Sequence, residues 1–167
     1  MTRDTFMEVL VESKAAPYVR VLRDFLYVLT ALFVIAFVFS GLFIAMIIAV
    51  VFGVLAYFIG LRTKIEYEYD YMNKELDVDI IYDKQKRKHL ATYDLSKMEV
   101  LAPVNSYHLD DYKNRNYKVC DYSSKTEMNK SKQYVMYYSG EAKIIFEPTS
   151  EMIEAITYIA PRKVFRD

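Results

Sequence analysis

The segment Lys84-Gln85-Lys86-Arg87-Lys88-His89 gathers four cations and a histidine into six consecutive positions. Ammonium and guanidinium groups at that density suit anionic headgroups or a phosphorylated ligand. Beside a membrane surface each contributes ~1 kcal/mol of attraction. Lys84, Lys86, Arg87 and Lys88 are therefore the candidate contact set for anionic lipid or ligand. The same composition also suits a solvated turn that discourages edge-to-edge strand pairing. Asp77, Asp79 and Asp83 lie near enough in sequence to neutralise it.

Other reactive residue types are sparse. His108 with Asp110 and Asp111 suggests a base or a metal ligand set, but residues so close in sequence rarely converge on one ion. The second histidine, His89, starts a different element. Glu66, Glu68 and Asp70 alternate along one stretch, and that spacing predicts a wet strand face rather than an acid–base pair. Phosphate-cradling loops need glycines, of which there are four, and no nucleophile elbow or zinc motif occurs. No catalytic, metal or cofactor residue is assigned, and the chain reads as non-enzymatic. Cys120 is the single cysteine, so no intrachain disulfide forms, as in a reducing compartment. It reads as a small strand residue. Cations and anions balance at 22 each, without the basic excess of a nucleic-acid binder.

The elements that position these residues begin with an uncharged run over 25–61. As one helix it would be ~55 Å long, against a hydrocarbon core of ~30 Å. Ser40-Gly41 divides it into spans at 17–39 and 42–61, since glycine permits the positive φ that ends a helix. Gly53 and Gly60 read as positions of close helix packing. Neither span carries a charge at its middle, so a proton relay or ion path lacks its usual carriers. Lys14, Arg20, Arg23, Arg62 and Lys64 flank the charged ends. By the positive-inside rule that side is cytoplasmic, and both termini face the cytoplasm. A cleaved signal peptide fits poorly, because its apolar core is only ~7–15 residues long.

Three parts follow: an N-terminal amphipathic helix at 1–16, a two-span transmembrane hairpin at 17–62, and a cytoplasmic β domain at 63–167. Thr5 to Glu8 matches a capping box, and Phe6, Val9 and Leu10 share a helical face. Beyond Arg62 the period becomes two: Ile65, Tyr67, Tyr69 and Tyr71, then Leu76, Val78 and Ile80. Further strands are expected near 88–95, 98–102, 117–122, 133–138 and 142–147. The short connections predict an antiparallel meander. The stretch 104–116 reads as a polar loop, and SSKTEMNKSK at 123–132 as a solvated, mobile turn. A helix at 150–159 buries Met152, Ile153, Ile156 and Ile159 and stops at Pro161.

Seven strands followed by one helix is the element order of a pleckstrin-homology-like fold. The strand pair YEYDYMNKELDVDIIYDKQKRK, the segment MEVLAPVNS, the dipeptide pair DYSS and the ending PRKVF resemble an uncharacterised family of small Gram-positive bacterial membrane proteins. The resemblance implies a two-span hairpin and an α+β domain: an antiparallel sheet or partly open barrel of about seven strands, capped by one C-terminal helix. It implies no activity and no functional residues. The expected role is a membrane-tethered, non-enzymatic interaction module that presents its β domain to a protein, a peptide or anionic lipid headgroups. The alternative is a structural subunit of a larger membrane assembly.

Overall fold

The computed structural model describes residues 6–14, 17–61 and 63–166. Residue contacts divide the chain into two units. One comprises Lys14–Ile65 with Tyr82–Gln85; the other holds the N-terminal strand, Glu66–Ile81 and the chain from Lys86 onward.

The first unit is built on two helices, α1 (Pro17–Ser40) and α2 (Phe43–Leu61). Pro17 opens α1, where its missing N–H costs nothing. Gly41, at φ +69°, ends it, and its N–H donates to Phe37 O at 2.8 Å. Both helices are long and apolar enough to cross a membrane, with mean hydropathies of 2.1 and 2.7. Most of their large apolar side chains point outward; Leu26, Ala45, Ala49 and Ala56 are the buried ones. Gly53 faces Thr30 and Gly60 faces Arg23, each with room for a methyl group in ordinary contact.

The second unit carries two four-stranded sheets. The first has the order β1 (Met7–Lys14), β2 (Lys64–Met72), β3 (Glu75–Tyr82), β4 (Lys86–Asp94). Asn73 and Lys74, both at positive φ, turn β2 into β3 as a two-residue hairpin loop requires. Tyr67, Tyr69 and Tyr71 of β2 and Leu76, Val78 and Ile80 of β3 are buried, following the expected alternation.

The second sheet has the order β5 (Met98–Pro103), β7 (Tyr134–Tyr138), β8 (Ala142–Phe146), β6 (Lys118–Asp121). Ser139 and Gly140, again at positive φ, join β7 to β8. The outer edge of β5 is covered: Leu101 N donates to Lys163 O and Phe165 N to Leu101 O, both at 2.8 Å. Tyr69 meets Phe146 edge-on at 5.7 Å and Tyr93 meets Tyr138 at 5.2 Å, so aromatic rings join the two sheets. Helix α3 (Ser150–Ile159) is capped by Thr149, whose hydroxyl accepts from Met152 N, and it buries Met152, Ile153 and Ile156.

Four sequence expectations are corrected. Residues 7–14 form a strand rather than part of an N-terminal amphipathic helix; Met7, Val9, Val11 and Ser13 turn inward with period two. The expected helix start at 4–5 lies outside the described residues. The sheets do not close into a barrel. The meander is broken because β6 pairs parallel to β8, with β7 between them in sequence. Finally, 123–132 is not a wholly solvated turn: Ser123 and Ser124 are buried and Glu127–Lys132 forms a 3-10 helix. The loop at 104–116 also contains a 3-10 turn, Tyr107–Tyr112, which buries Leu109.

Candidate functional site: the β3–β4 hairpin and its carboxylate network

The turn from β3 to β4 is short. Asp83 and Lys84 take positive φ, and Gln85 N donates to Tyr82 O at 3.1 Å. This turn is fastened to the start of β2: Asp83 N donates to Lys64 O at 2.9 Å, and Lys64 Nζ lies 3.8 Å from Asp83 Oδ1. Lys64 follows closely on the last residue of α2, Leu61. Arg23 of α1 reaches the same end, with Nη1 donating to Thr63 Oγ1 at 3.4 Å. The Asp83–Gln85 turn, which carries Lys84, therefore shares one unit with Arg23 and Lys64 at the charged ends of the helices.

The four candidate cations separate into two kinds. Lys84, Lys86 and Lys88 are exposed. Arg87 is turned across the strands into carboxylates. Its Nε donates to Asp79 Oδ2 at 2.5 Å and its Nη2 to Asp70 Oδ2 at 2.7 Å. Nη2 also lies 2.8 Å from Glu68 Oε2, a charge contact without hydrogen-bond alignment. His89 Nδ1 meets Asp79 Oδ1 at 2.8 Å, and Thr92 Oγ1 donates to Asp77 Oδ1. The three aspartates flagged in the sequence are thus divided: Asp79 takes Arg87 and His89, Asp77 takes Thr92, and Asp83 takes Lys64.

Strict alternation placed Glu66, Glu68 and Asp70 on a wet face. Glu68 is instead buried, 4% exposed. Glu8 of β1 brings a second carboxyl group beside it. Burial, then the Glu8 contact, pushes the Glu68 carboxyl up to about 7 against the pull of Arg87. Burial also raises Asp70. Burial would raise Asp79 too, but hydrogen bonds from Arg87 and His89 outweigh it and hold that carboxyl below its usual range. Acidic oxygens of Glu8, Glu68 and Asp70 lie within 4.8 Å of one another, a spacing that a hard cation can use. Arg87 already supplies positive charge to two of the three. The arrangement is a cross-strand ion-pair network centred on a half-exposed Arg87.

The remaining candidates do not converge. His108 stacks on Phe165 at 3.5 Å and against Tyr107 at 3.9 Å. Asp110 pairs with Lys113 at 2.5 Å, and Asp111 is exposed. Cys120 sits in β6, half-buried near the Tyr93 and Tyr122 hydroxyls, which are 2.9 Å apart.

One buried polar centre escaped the sequence reading. Glu147 Oε1 accepts from Ser124 N at 3.0 Å, Ser124 Oγ at 2.7 Å and Gln133 Nε2 at 3.2 Å. Ser13 Oγ donates to Ser123 O at 2.9 Å, tying β1 to the same segment. The adjacent serines of DYSS were the available signal, because paired hydroxyls beside a strand end often serve turns and caps.

Residues 3–166 match the family model described as Bacterial PH-like domain (DUF6106). No curated protein and no solved structure matches the chain.

Proposed function

The chain belongs to the bacterial PH-like domain family, and from that premise we propose that it is a membrane-anchored, non-enzymatic interaction module. In this reading α1 and α2 insert as a two-span hairpin with both charged ends on the cytoplasmic side. Their outward apolar surface supports insertion, since a soluble core helix of this length would be buried. The β unit then stands at the inner leaflet, and Lys84, Lys86 and Lys88 meet anionic headgroups.

The fastening of the Asp83–Gln85 turn onto Lys64 carries the proposal. It sets the turn that carries Lys84 beside the point where the chain leaves α2, near Arg23 and Thr63. Cations held there add ~1 kcal/mol each toward an anionic surface. Arg87 is left out of the contact set because its guanidinium is engaged by Asp70, Asp79 and Glu68.

Two measurements test the reading. Alkaline extraction of membranes should leave the protein in the pellet; release into the supernatant overturns insertion. Amide exchange of the full chain in nanodiscs should slow over 83–88 when phosphatidylglycerol replaces phosphatidylcholine. The triple variant Lys84→Gln, Lys86→Gln, Lys88→Gln should abolish that difference. Equal exchange in both lipids overturns the headgroup contact while leaving insertion standing.

A further inference from the structure

The β2–β3 turn and the chain that follows α3 border an open cleft of about 340 Å³. That volume lies in the lower range of small-ligand sites, roughly 300–1,000 Å³. Its lining is chemically one-sided. Lys74, Arg162 and Lys163 contribute cations, while Leu95, Ile159 and Pro161 contribute apolar surface, and no carboxylate is among the lining residues. The nearby Asp94 carboxylate accepts from Ser96 N at 3.0 Å and Ser96 Oγ at 2.6 Å, and the charges of Lys97 and Lys74 also act on it.

The walls are fixed by hydrogen bonds. Leu95 N donates to Lys74 O at 2.8 Å, which clamps the β2–β3 turn to the 3-10 turn Leu95–Lys97. Lys163 Nζ donates to Met98 O at 2.6 Å and Ser96 O at 3.4 Å, which holds the segment after α3 against β5. Lys163 N donates to Ala160 O at 3.0 Å and closes the turn around Pro161. A preformed cleft avoids much of the ordering cost of binding.

We propose that this cleft is a binding site for a small soluble organic anion. A carboxylate or phosphate-ester head is held by Lys74, Arg162 and Lys163, and an apolar body lies on Leu95, Ile159 and Pro161. The small volume and the mixed cationic and apolar lining suit a small soluble ligand.

The test is an amide NMR titration of the full chain in phosphatidylcholine nanodiscs. The probes are benzoate, phenyl phosphate, benzyl alcohol and inorganic phosphate. Benzoate or phenyl phosphate should shift the amides of Leu95, Ser96, Ala160, Arg162 and Lys163; which of the two binds tighter identifies the head group. Benzyl alcohol and inorganic phosphate, each lacking one half of the ligand, should bind at least about tenfold more weakly. The double variant Lys74→Gln, Arg162→Gln changes two exposed side chains and should weaken the organic anions by about tenfold or more with the rest of the spectrum unchanged. Absence of shifts at these amides overturns the proposal. So does equal affinity for benzyl alcohol and benzoate, for inorganic and phenyl phosphate, or for the variant and the parent chain. Because the cleft lies wholly in the β unit, failure here leaves the headgroup reading untouched.

Discussion

Arg87 of β4 lies 2.8 Å from Glu68 of β2, with β3 between them in the sheet. A guanidinium that reaches across a neighbouring strand to a carboxylate 4% exposed is a structural cation, whatever its neighbours in sequence do. Removing it leaves Glu68, Asp70 and Asp79 without their main positive partner. Arg87→Ala should therefore destabilise the β unit by about 2 kcal/mol, less than a fully buried pair because Arg87 itself is half exposed. Arg87→Lys should recover only part, since one ammonium cannot serve three carboxylates in the plane of a fork. Urea titration of the full chain in nonionic detergent, followed by tyrosine near-UV circular dichroism, measures both.

Glu68 gives the pH dependence its sign. Its folded pKa, about 7, is above the unfolded value of 4.5, so the folded state holds the extra proton between those limits. Stability from this group is present below about pH 4.5 and is lost as pH rises toward 7. Asp70, also raised, works in the same direction. Asp79 works oppositely: its depressed pKa contributes stability that disappears as pH falls through its folded value. The urea midpoint should accordingly decline between pH 5 and 8. Glu68→Gln should flatten that decline and raise stability at pH 8 by about 1–3 kcal/mol. An unchanged slope in the variant would place the titrating group elsewhere.

Glu147 sets a different test. Its Oε1 holds Ser124 and Gln133, and so fixes the 3-10 helix Glu127–Lys132 from both sides. Glu147→Ala leaves the Ser124 N–H and hydroxyl buried without an acceptor and should cost about 2–3 kcal/mol. Glu147→Gln keeps an oxygen for the same donors and should cost about half as much. Amide exchange over 123–133 should accelerate in the alanine variant first. Uniform acceleration throughout the β unit would mean that the contact is not local.

How much of this was legible in the sequence depends on whether the deciding contacts are local. Gly41 could be read as the helix break because positive φ is an intrinsic need of that turn. Tyr67, Tyr69 and Tyr71 announced β2 by their own alternation. Residues 7–14 went the other way. Phe6, Val9 and Leu10 have helical spacing, while Met7, Val9 and Val11 have strand spacing; the neighbouring edge of β2 selects the second, and no local signal reveals that edge. The parallel pairing of β6 with β8 was equally hidden, because Lys118 pairs with Ala142 across an intervening stretch of sequence that contains β7. At the candidate site, the lysines could be read from composition, but the withdrawal of Arg87 depends on a register that puts Glu68, Asp70 and Asp79 around it. The approach of Glu8 to Glu68 required β1 to be recognised as a strand first.

Tyr69 supplies the last prediction. Its ring is fully buried against Phe146, and its hydroxyl donates to Tyr122 O at 2.5 Å, linking β2 to the end of β6. Burial raises its pKa, which favours the neutral phenol that donates. Tyr69→Phe keeps the ring and its edge-on contact and removes the hydrogen bond alone; the expected cost is about 1 kcal/mol. Tyr69→Ala removes both and leaves a cavity, with an expected cost of about 3–5 kcal/mol. The difference between the two variants isolates ring packing from hydrogen bonding. If Tyr69→Phe proves as damaging as Tyr69→Ala, the β2–β6 junction rests on the hydroxyl, and aromatic packing between the sheets is secondary.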